Sequence, residues 1–427
     1  MQSSVHQTEV LPFFTLLQLA LIVVVARLAG EIAVRLSQSR AVGEIIAGLI
    51  LGPSLFGLLL PATFAYVFRS APAEPMTILS QIGLILLMFQ IGLEFDFGHL
   101  KTGSNRKAVL NISIMGLALP FSLGLLFGWI SHPYVAQSIN ALGYVLFVGT
   151  AFSITALPIL GRILMELDLT RSRVGVIAIS SAAINDVVGW LMLAVVTALT
   201  VAEFSAAGFA VKIGLIAIYV ALCGWVVRPL LLRLLRRSGV DAGKLSPNLI
   251  GILLGAIFLS GMATYRLGIF AIFGGFMLGV LLHDQTAFVR AWREKVGEFV
   301  IVFFLPIFFT YTGLRTNIGA LNSMQLWGWC LLLVALATAG KFGGCYLAAR
   351  RSGMSTREAK AIGIMMNTRA LMELVVINVG LDLGVIPPNV FTMLVIMAIG
   401  STVVTTPALK IWLQLNKRAN LEGISQS

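Results

Sequence analysis

Long apolar runs separated by short polar stretches repeat along the whole chain. About thirteen of them are long enough to cross a hydrocarbon core of ~30 Å. They cover approximately residues 11–34, 41–60, 77–95, 108–130, 139–161, 174–199, 209–232, 248–265, 267–284, 298–314, 326–349, 361–380 and 389–415. In hydrocarbon a segment must pair its own backbone N–H and C=O groups, so such runs are read as helices. The pattern predicts an all-α polytopic membrane protein of about 13 transmembrane helices. Between the ninth and tenth runs, Asp284 to Phe299 reads as a short amphipathic helix. Phe288 and Trp292 would lie on the membrane, with Arg290, Arg293 and Lys295 facing headgroups. A plain cytoplasmic linker fits that stretch equally well.

Composition agrees with the pattern. Hydrophobic residues are 58% of the 427 and charged ones 11%, with a mean hydropathy of +0.95, too little polar surface for water as the only solvent. The net charge of +12 is distributed by loop. Arg35 and Arg40 follow span one; Lys101, Arg106 and Lys107 follow span three; Arg162, Arg171 and Arg173 follow span five. Arg233, Arg236, Arg237 and Lys244 follow span seven; Arg290, Arg293 and Lys295 follow span nine; Arg350, Arg351, Arg357 and Lys360 follow span eleven. Lys417 and Arg418 lie in a short tail, and the opposite loops carry only Arg69, Arg266 and Arg315. This alternation predicts an outside N-terminus and a cytoplasmic C-terminus in a bacterial-type inner or plasma membrane, hence an odd number of spans. It makes the charge an orientation signal and removes support for nucleic-acid binding. The start of the chain lacks the basic region of a cleavable signal. Cys223, Cys330 and Cys345 sit in apolar runs, without disulfide-framework or metal-ligand spacing.

A weak internal repeat adds topology. Ile91-Gly92-Leu93-Glu94-Phe95-Asp96 ends span three, and Thr312-Gly313-Leu314-Arg315-Thr316-Asn317 ends span ten. Ala47-Gly48-Leu49-Ile50-Leu51-Gly52 of span two is matched by Gly274-Gly275-Phe276-Met277-Leu278-Gly279 of span nine. The offset of seven spans is odd, so the second copy is upside down. Spans one to six and eight to thirteen then form two inverted repeats of six helices with span seven as connector, a plan common among secondary transporters. A single Gly-x-x-x-Gly would mean helix packing alone. The halves also match in where helices should break. Span five carries Thr150, Ser153 and Thr155 before Pro158, and span twelve carries Asn367-Thr368-Arg369-Ala370-Leu371-Met372-Glu373. Broken helices crossing at mid-membrane would turn freed carbonyls and half-helix ends toward one region; a simple proline kink is the alternative for span five.

Four charged residues lie well inside their spans: Asp186, Lys341, Arg369 and Glu373. Arg369 and Glu373 are four apart and can pair on one helical face. Lys341 can neutralise a carboxylate or a helix C-terminus. Asp186 has no charged partner at i±3 or i±4, and a carboxylate at that depth marks an ion or proton pathway; a structural aspartate tying two helices together is the alternative. Asn185 beside it can ligate a cation through its amide oxygen. Antiport needs one site that takes a proton or a cation but never both, and a partly desolvated carboxylate meets that requirement. Ser153 and Thr155 would add hard oxygens suited to K⁺ or Na⁺. His6, His99, His132 and His283 lie near or outside the membrane surfaces, and no phosphate-binding loop, nucleophile elbow or zinc motif is present. The chain therefore reads as a transporter and not an enzyme, with no cofactor beyond the transported K⁺ or Na⁺ and H⁺.

Five runs carry a family resemblance: Gly43-Glu44-Ile45-Ile46-Ala47-Gly48 through Gly52-Pro53-Ser54, Ile91-Gly92-Leu93-Glu94, Ala182-Ala183-Ile184-Asn185-Asp186, Tyr311-Thr312-Gly313-Leu314-Arg315-Thr316, and Asn367-Thr368-Arg369-Ala370-Leu371-Met372-Glu373-Leu374. Together they resemble the monovalent cation:proton antiporters, in the branch of Kef-type transporters and plant cation/proton exchangers. The resemblance implies a homodimer with a dimerisation domain at 1–100 and 247–325 and a mobile core at 101–200 and 326–416. Helix 201–246 would connect them, and 417–427 would be a cytoplasmic tail. It implies that Asp186 carries the ion and the proton, that Asn185 is its companion, and that Thr155 lies close to the ion. Asn at the first position implies electroneutral exchange. Lys341 matches a basic residue that pairs with an aspartate in two-aspartate relatives; with Asn185 there, it is expected to act as an electrostatic stabiliser, beside Arg369, Glu373 and Asn367. Unlike Kef-type proteins, the chain shows no nucleotide-binding domain after its last span.

The expected activity is exchange of a monovalent cation for protons by elevator-like movement of the core, with K⁺ favoured by the Asn367–Leu374 run and Na⁺ close behind. Two rivals remain at the level of sequence: a proton-coupled exporter of an organic solute on the same scaffold, and a membrane sensor or scaffold that does not transport.

Overall fold

A computed structural model describes residues 2–36, 38–94, 106–170, 172–201, 206–238, 245–267 and 270–413. Every regular element among them is helical. In chain order the α-helices are α1 (Gln2–Arg35), α2 (Arg40–Ile50), α3 (Phe56–Leu59), α4 (Pro61–Phe68), α5 (Glu74–Leu93), α6 (Arg106–Val135) and α7 (Ala141–Ser153). There follow α8 (Leu157–Glu166), α9 (Arg173–Val201), α10 (Ala206–Leu222), α11 (Arg228–Arg237), α12 (Pro247–Arg266), α13 (Ala271–Leu282) and α14 (Thr286–Trp292). The last are α15 (Leu305–Arg315), α16 (Met324–Thr338), α17 (Gly344–Arg351), α18 (Thr356–Met366), α19 (Ala370–Asp382) and α20 (Pro388–Trp412).

Among the described residues, ten helical stretches are long and apolar enough to cross a membrane. The three remaining apolar runs are broken or short. Span two stops at Ile50, where Gly52-Pro53 cannot continue a helix, and resumes as α3 and α4. Span five divides into α7 and α8, and span nine is the short α13. Span twelve is also interrupted, between α18 and α19. Lys101, Arg171, Lys244, Lys417, Arg418, the motif residues Phe95-Asp96 and the 417–427 tail lie outside the described residues.

The chain packs as two compact units: Met1–Ala26, Gly48–Phe97 and Thr197–Leu314 form one, and Arg27–Ala47, Gly98–Val196 and Arg315–Ser427 the other. In the first unit the repeated glycine motifs meet crosswise. A Cβ on Gly279 of α13 would lie 2.9 Å from the Cα of Gly92 in α5. A Cβ on Gly313 of α15 would lie 2.9 Å from the backbone nitrogen of Leu49 in α2. These are backbone-to-backbone approaches that only a residue without a side chain permits.

The stretch Asp284–Phe299 does not lie on the membrane through Phe288 and Trp292. Phe288 and Trp292 are fully buried, with Trp292 edge-on to Phe89 of α5 at 4.8 Å between ring centroids. Arg293 pairs with Glu94 at 2.9 Å, and the Lys295 ammonium donates to the carbonyl of Leu245 at 2.7 Å. The amphipathic pattern is real, but its apolar face packs against protein. Amphipathicity specifies that a face is buried and not which apolar medium buries it.

A side chain at the α5–α13 crossing should be costly. Gly92→Leu is expected to lower the melting temperature of the detergent-solubilised protein, by overpacking worth about 1–3 kcal/mol. Gly255→Leu, on α12 with open space around it, is expected to leave melting unchanged. Size-exclusion chromatography after graded heating reads both.

Candidate functional site

The second unit contains the interrupted spans five and twelve. α7 is started by the Asn140 side chain, which accepts from the backbone N–H of Gly143, and runs to Ser153. Ile154-Thr155-Ala156 is non-helical, and α8 resumes at Leu157 with Pro158 in its first turn. Proline has no N–H to give and its fixed φ suits the first turn of a helix, where the N–H would be unpaired in any case, so the restart there is favoured. The interruption is thus Ile154–Ala156; Thr150 lies inside α7, where its hydroxyl donates to the carbonyl of Leu146. α18 begins at a capping box formed by Ser355 and Glu358 and ends at Met366. Asn367-Thr368-Arg369 separates it from α19, whose first residue Ala370 takes a positive φ of 30°. A left-handed non-glycine backbone is strained and is held only where its surroundings over-determine it.

The interruptions are joined directly. The N–H of Ala156 donates to the carbonyl of Thr368 at 2.8 Å, and the Thr155 hydroxyl to the carbonyl of Met366 at 3.3 Å. Breaking a helix leaves its last carbonyls without partners, which is costly away from water. Two buried cations meet that need at the end of α7. The Lys341 ammonium donates to the carbonyl of Ser153 and to that of Gly116 at 2.8 Å. The Arg369 guanidinium donates to the carbonyls of Ala151 and Ala337, both at 3.0 Å, and pairs with Glu373 at 3.4 Å. Positive charge at a helix C-terminus also complements the helix dipole. Lys341 itself sits on a π-helical turn, Ala339–Gly343, between α16 and α17.

α9 carries Asn185 and Asp186 past this framework. Gly189, one turn beyond Asp186, lets Ile154 come close: a Cβ on Gly189 would lie 3.0 Å from the Ile154 side chain. Asp186 is 2% exposed, and neither carboxylate oxygen makes a hydrogen bond among the described residues. The Leu157 N–H, at the start of α8, and the Lys341 charge act on it without a well-formed hydrogen bond. Asn185 is fully buried with both amide atoms unpartnered, and its nitrogen is 3.1 Å from where a Cβ on Gly116 would stand. The carbonyl of Gly116 also accepts from Lys341, so the amide and the ammonium share one neighbourhood.

Each residue singled out by sequence therefore has a definite place. Asp186, Asn185, Thr155, Ser153, Lys341, Arg369, Glu373 and Asn367 are all buried in this unit. The hydroxyl protons of Ser153 and Thr155 go to the carbonyls of Gly149 and Met366, which leaves their oxygen lone pairs for a cation. The Asn367 amide oxygen and Oε1 of Glu373 have no hydrogen-bond partner among the described residues. Sequence reasoning did not reach Gly116, Ala151, Leu157 and Met366. They act through backbone atoms, and only Gly116 left a trace, as a glycine within an apolar span. Among the described residues no three His, Cys, Asp or Glu side chains are grouped to hold a metal ion. The donor set is carboxylate, hydroxyl and carbonyl oxygen, chemistry matched to a hard monovalent cation or a proton.

The profile described as sodium/hydrogen exchanger, transmembrane, matches residues 20–415. The Na(+)/H(+) antiporter NhaS4 of Synechocystis is 40% identical over 92% of this chain and 96% of its own. Cation/H(+) antiporter 15 of Arabidopsis thaliana is 36% identical over 94% of this chain, and K(+)/H(+) antiporter 1 of Saccharomyces cerevisiae 33% identical over 92%. The chain spans about half the length of those plant and yeast relatives, 48% and 45%. The solved sodium proton antiporter MjNhaP1 of Methanocaldococcus jannaschii has the same fold, with a TM-score of 0.62 at 18% identity, covering 92% of this chain and 94% of that one. With its interrupted helices, its buried carboxylate and a profile match along almost its entire length, the chain belongs to the transmembrane sodium/hydrogen exchanger family.

Proposed function

We propose that this protein is a secondary transporter exchanging a monovalent cation, K⁺ or Na⁺, for protons, with Asp186 as the shared site. The carrying observation is the Asp186 carboxylate, buried with both oxygens unpartnered beside two interrupted helices. At the site two buried acids, Asp186 and Glu373, stand against two buried bases, Lys341 and Arg369, while the buried Glu44 is ion-paired with Arg27 at 3.6 Å. Glu373 is matched by Arg369, and Lys341 is held by carbonyls. A proton or a monovalent cation on Asp186 then brings the same charge into the site, so the exchange is electroneutral at one for one. Asn185, Ser153 and Thr155 complete the oxygen shell, and Lys341, Arg369 and Asn367 hold its frame. K⁺ is the favoured cation, on the likeness of the Asn367–Leu374 run to plant exchangers.

Transport on this reading proceeds by elevator-like movement of a core at 101–200 and 326–416 against a homodimeric scaffold at 1–100 and 247–325, with 201–246 as connector. The division into two compact units supports a moving and a static part, with Arg27–Ala47 grouped in the unit that holds Asp186 and the connector within Thr197–Leu314 of the other. The crosswise pairing of Gly279 with Gly92 and of Gly313 with α2 supports two inverted repeats. The alternating arginines and lysines support an outside N-terminus and a cytoplasmic C-terminus in a bacterial-type inner or plasma membrane.

Liposomes holding the purified protein and an imposed pH gradient test the core of this reading. Addition of K⁺ or Na⁺ is expected to collapse the gradient in wild type, while Asp186→Asn falls to the rate of protein-free liposomes. Full flux in Asp186→Asn, or flux triggered by an organic solute and indifferent to cations, would overturn it. Competition fixes a pH dependence: below the range in which the carboxylate ionises, the apparent KM for the cation should rise about tenfold per pH unit with an unchanged maximal rate. Initial rates across pH and cation concentration measure this. Lys341→Met should strand the carbonyls of Ser153 and Gly116, at a cost of about 1–3 kcal/mol each. A lowered melting temperature in detergent is the expected readout.

A further inference from the structure

The first unit, which does not contain Asp186, has a polar cavity of about 140 Å³ between the end of α11 and the link from α13 to α14. Leu235, Arg236, Asp284, Gln285 and Thr286 line it. That volume has room for on the order of ten water-sized groups. Asp284 does not make the cavity negative, because Arg228 is bound to its carboxylate at 2.6 Å. Arg236 is the uncompensated charge. It is exposed, as are Arg233 and Arg237, and among the described residues none of the three makes an ion pair or hydrogen bond. At i, i+3 and i+4 these guanidiniums share one side of α11, opposite the buried Leu231 and Leu235. The Gln285 amide and Thr286 hydroxyl add neutral donors to the lining.

The surroundings indicate the source of the anion. The helical stretch Gly214–Arg237 is apolar enough to cross a membrane, yet only 11% of its most apolar window is buried. Leu222, Trp225, Val226 and Leu230 are more than half exposed along it, at 51%, 83%, 54% and 61%. An apolar, uncovered helix thus ends in three unpaired arginines beside a polar recess. An orientation signal needs the charges alone, whereas a recess in which the Gln285 amide and Thr286 hydroxyl join Arg236, with the Asp284 carboxylate taken up by Arg228, suits a phosphate that brings its own hydrocarbon.

We propose that this cavity binds the phosphate of an anionic phospholipid, with Arg236 as the central contact, Arg233 and Arg237 flanking it, and the acyl chains along Trp225, Val226 and Leu230. Guanidinium groups bind phosphate oxygens through paired, charge-assisted hydrogen bonds. The site is independent of the transport reading and stands or falls by binding alone.

The test uses the whole purified chain in detergent, with thermal stability measured against added phosphatidylglycerol, phosphatidylcholine or inorganic phosphate. Phosphatidylglycerol should raise the melting temperature of wild type, and the other two should not. Its apparent Kd should weaken about tenfold or more in the Arg233→Gln/Arg236→Gln/Arg237→Gln variant. Arg236→Lys should lie between, and Arg357→Gln, which removes an exposed charge in the other unit, should match wild type. Equal shifts with phosphatidylcholine would overturn the proposal, as would equal weakening by Arg357→Gln. Inorganic phosphate alone matching phosphatidylglycerol would make this a free-phosphate site and overturn the lipid assignment. If the triple variant fails to fold, Arg236→Gln carries the same expectation, and wild-type affinity in it would sink the idea.

Discussion

A helix interrupted in the middle of a membrane protein must find partners for its freed backbone groups, and the core unit is arranged around that requirement. Away from water an unpartnered carbonyl or N–H costs free energy comparable to the strongest packing interactions available to one residue. Here the carbonyls of Ala151 and Ser153 receive Arg369 and Lys341, and the carbonyls of Met366 and Thr368 receive Thr155 and the N–H of Ala156. Each interruption completes the other. This explains two otherwise expensive side chains, because burying a lysine and an arginine is tolerable when both have carbonyl acceptors and one also has a carboxylate.

That framework leaves Asp186 as the exception. Its neighbours are arranged around it without satisfying it: a backbone N–H at the start of α8, a lysine already engaged elsewhere, and a companion amide with both atoms unpartnered. A fully satisfied carboxylate would be a structural anchor with little to gain from an ion. An unsatisfied one has a standing free-energy deficit that a proton or a cation relieves. On the proposed function the rigid cations and the open carboxylate are complementary: the former keep the interrupted helices in place, and the latter is the group that would exchange its ligand.

The stretch Asp284–Phe299 and Asp186 illustrate how far residues alone can be read. In the first, period and charge correctly describe an amphipathic segment, but whether Trp292 meets lipid or Phe89 depends on where α5 passes, and no local pattern encodes that. For Asp186, depth within an apolar run suffices to mark the residue, because the cost of burying a charge is set by the medium and not by the neighbours. The position of the break in span five lies between these cases. Pro158 and the hydroxyl residues announce an interruption, yet its location at Ile154–Ala156 follows from the hydrogen bond between Ala156 and Thr368, more than two hundred residues away in the chain.

The sequence by itself determined the solvent, the helical class, the repeated glycine motifs, the interruption of spans five and twelve, and four of the buried charged residues, though not Glu44. All of these follow from one-dimensional quantities: hydropathy over the length of a span, the alternation of basic loops, and charges at depths where charge is costly. Only the tertiary structure decided which backbone atoms those charges serve. It showed that the hydrogen bonds of Lys341 go to carbonyls at the end of α7 and on Gly116, that Gly92 exists to meet Gly279, and that Gly116 stands beside Asn185. Such pairings are set by the close approach of segments far apart in the chain, and their participants are often carbonyls and N–H groups that every residue possesses.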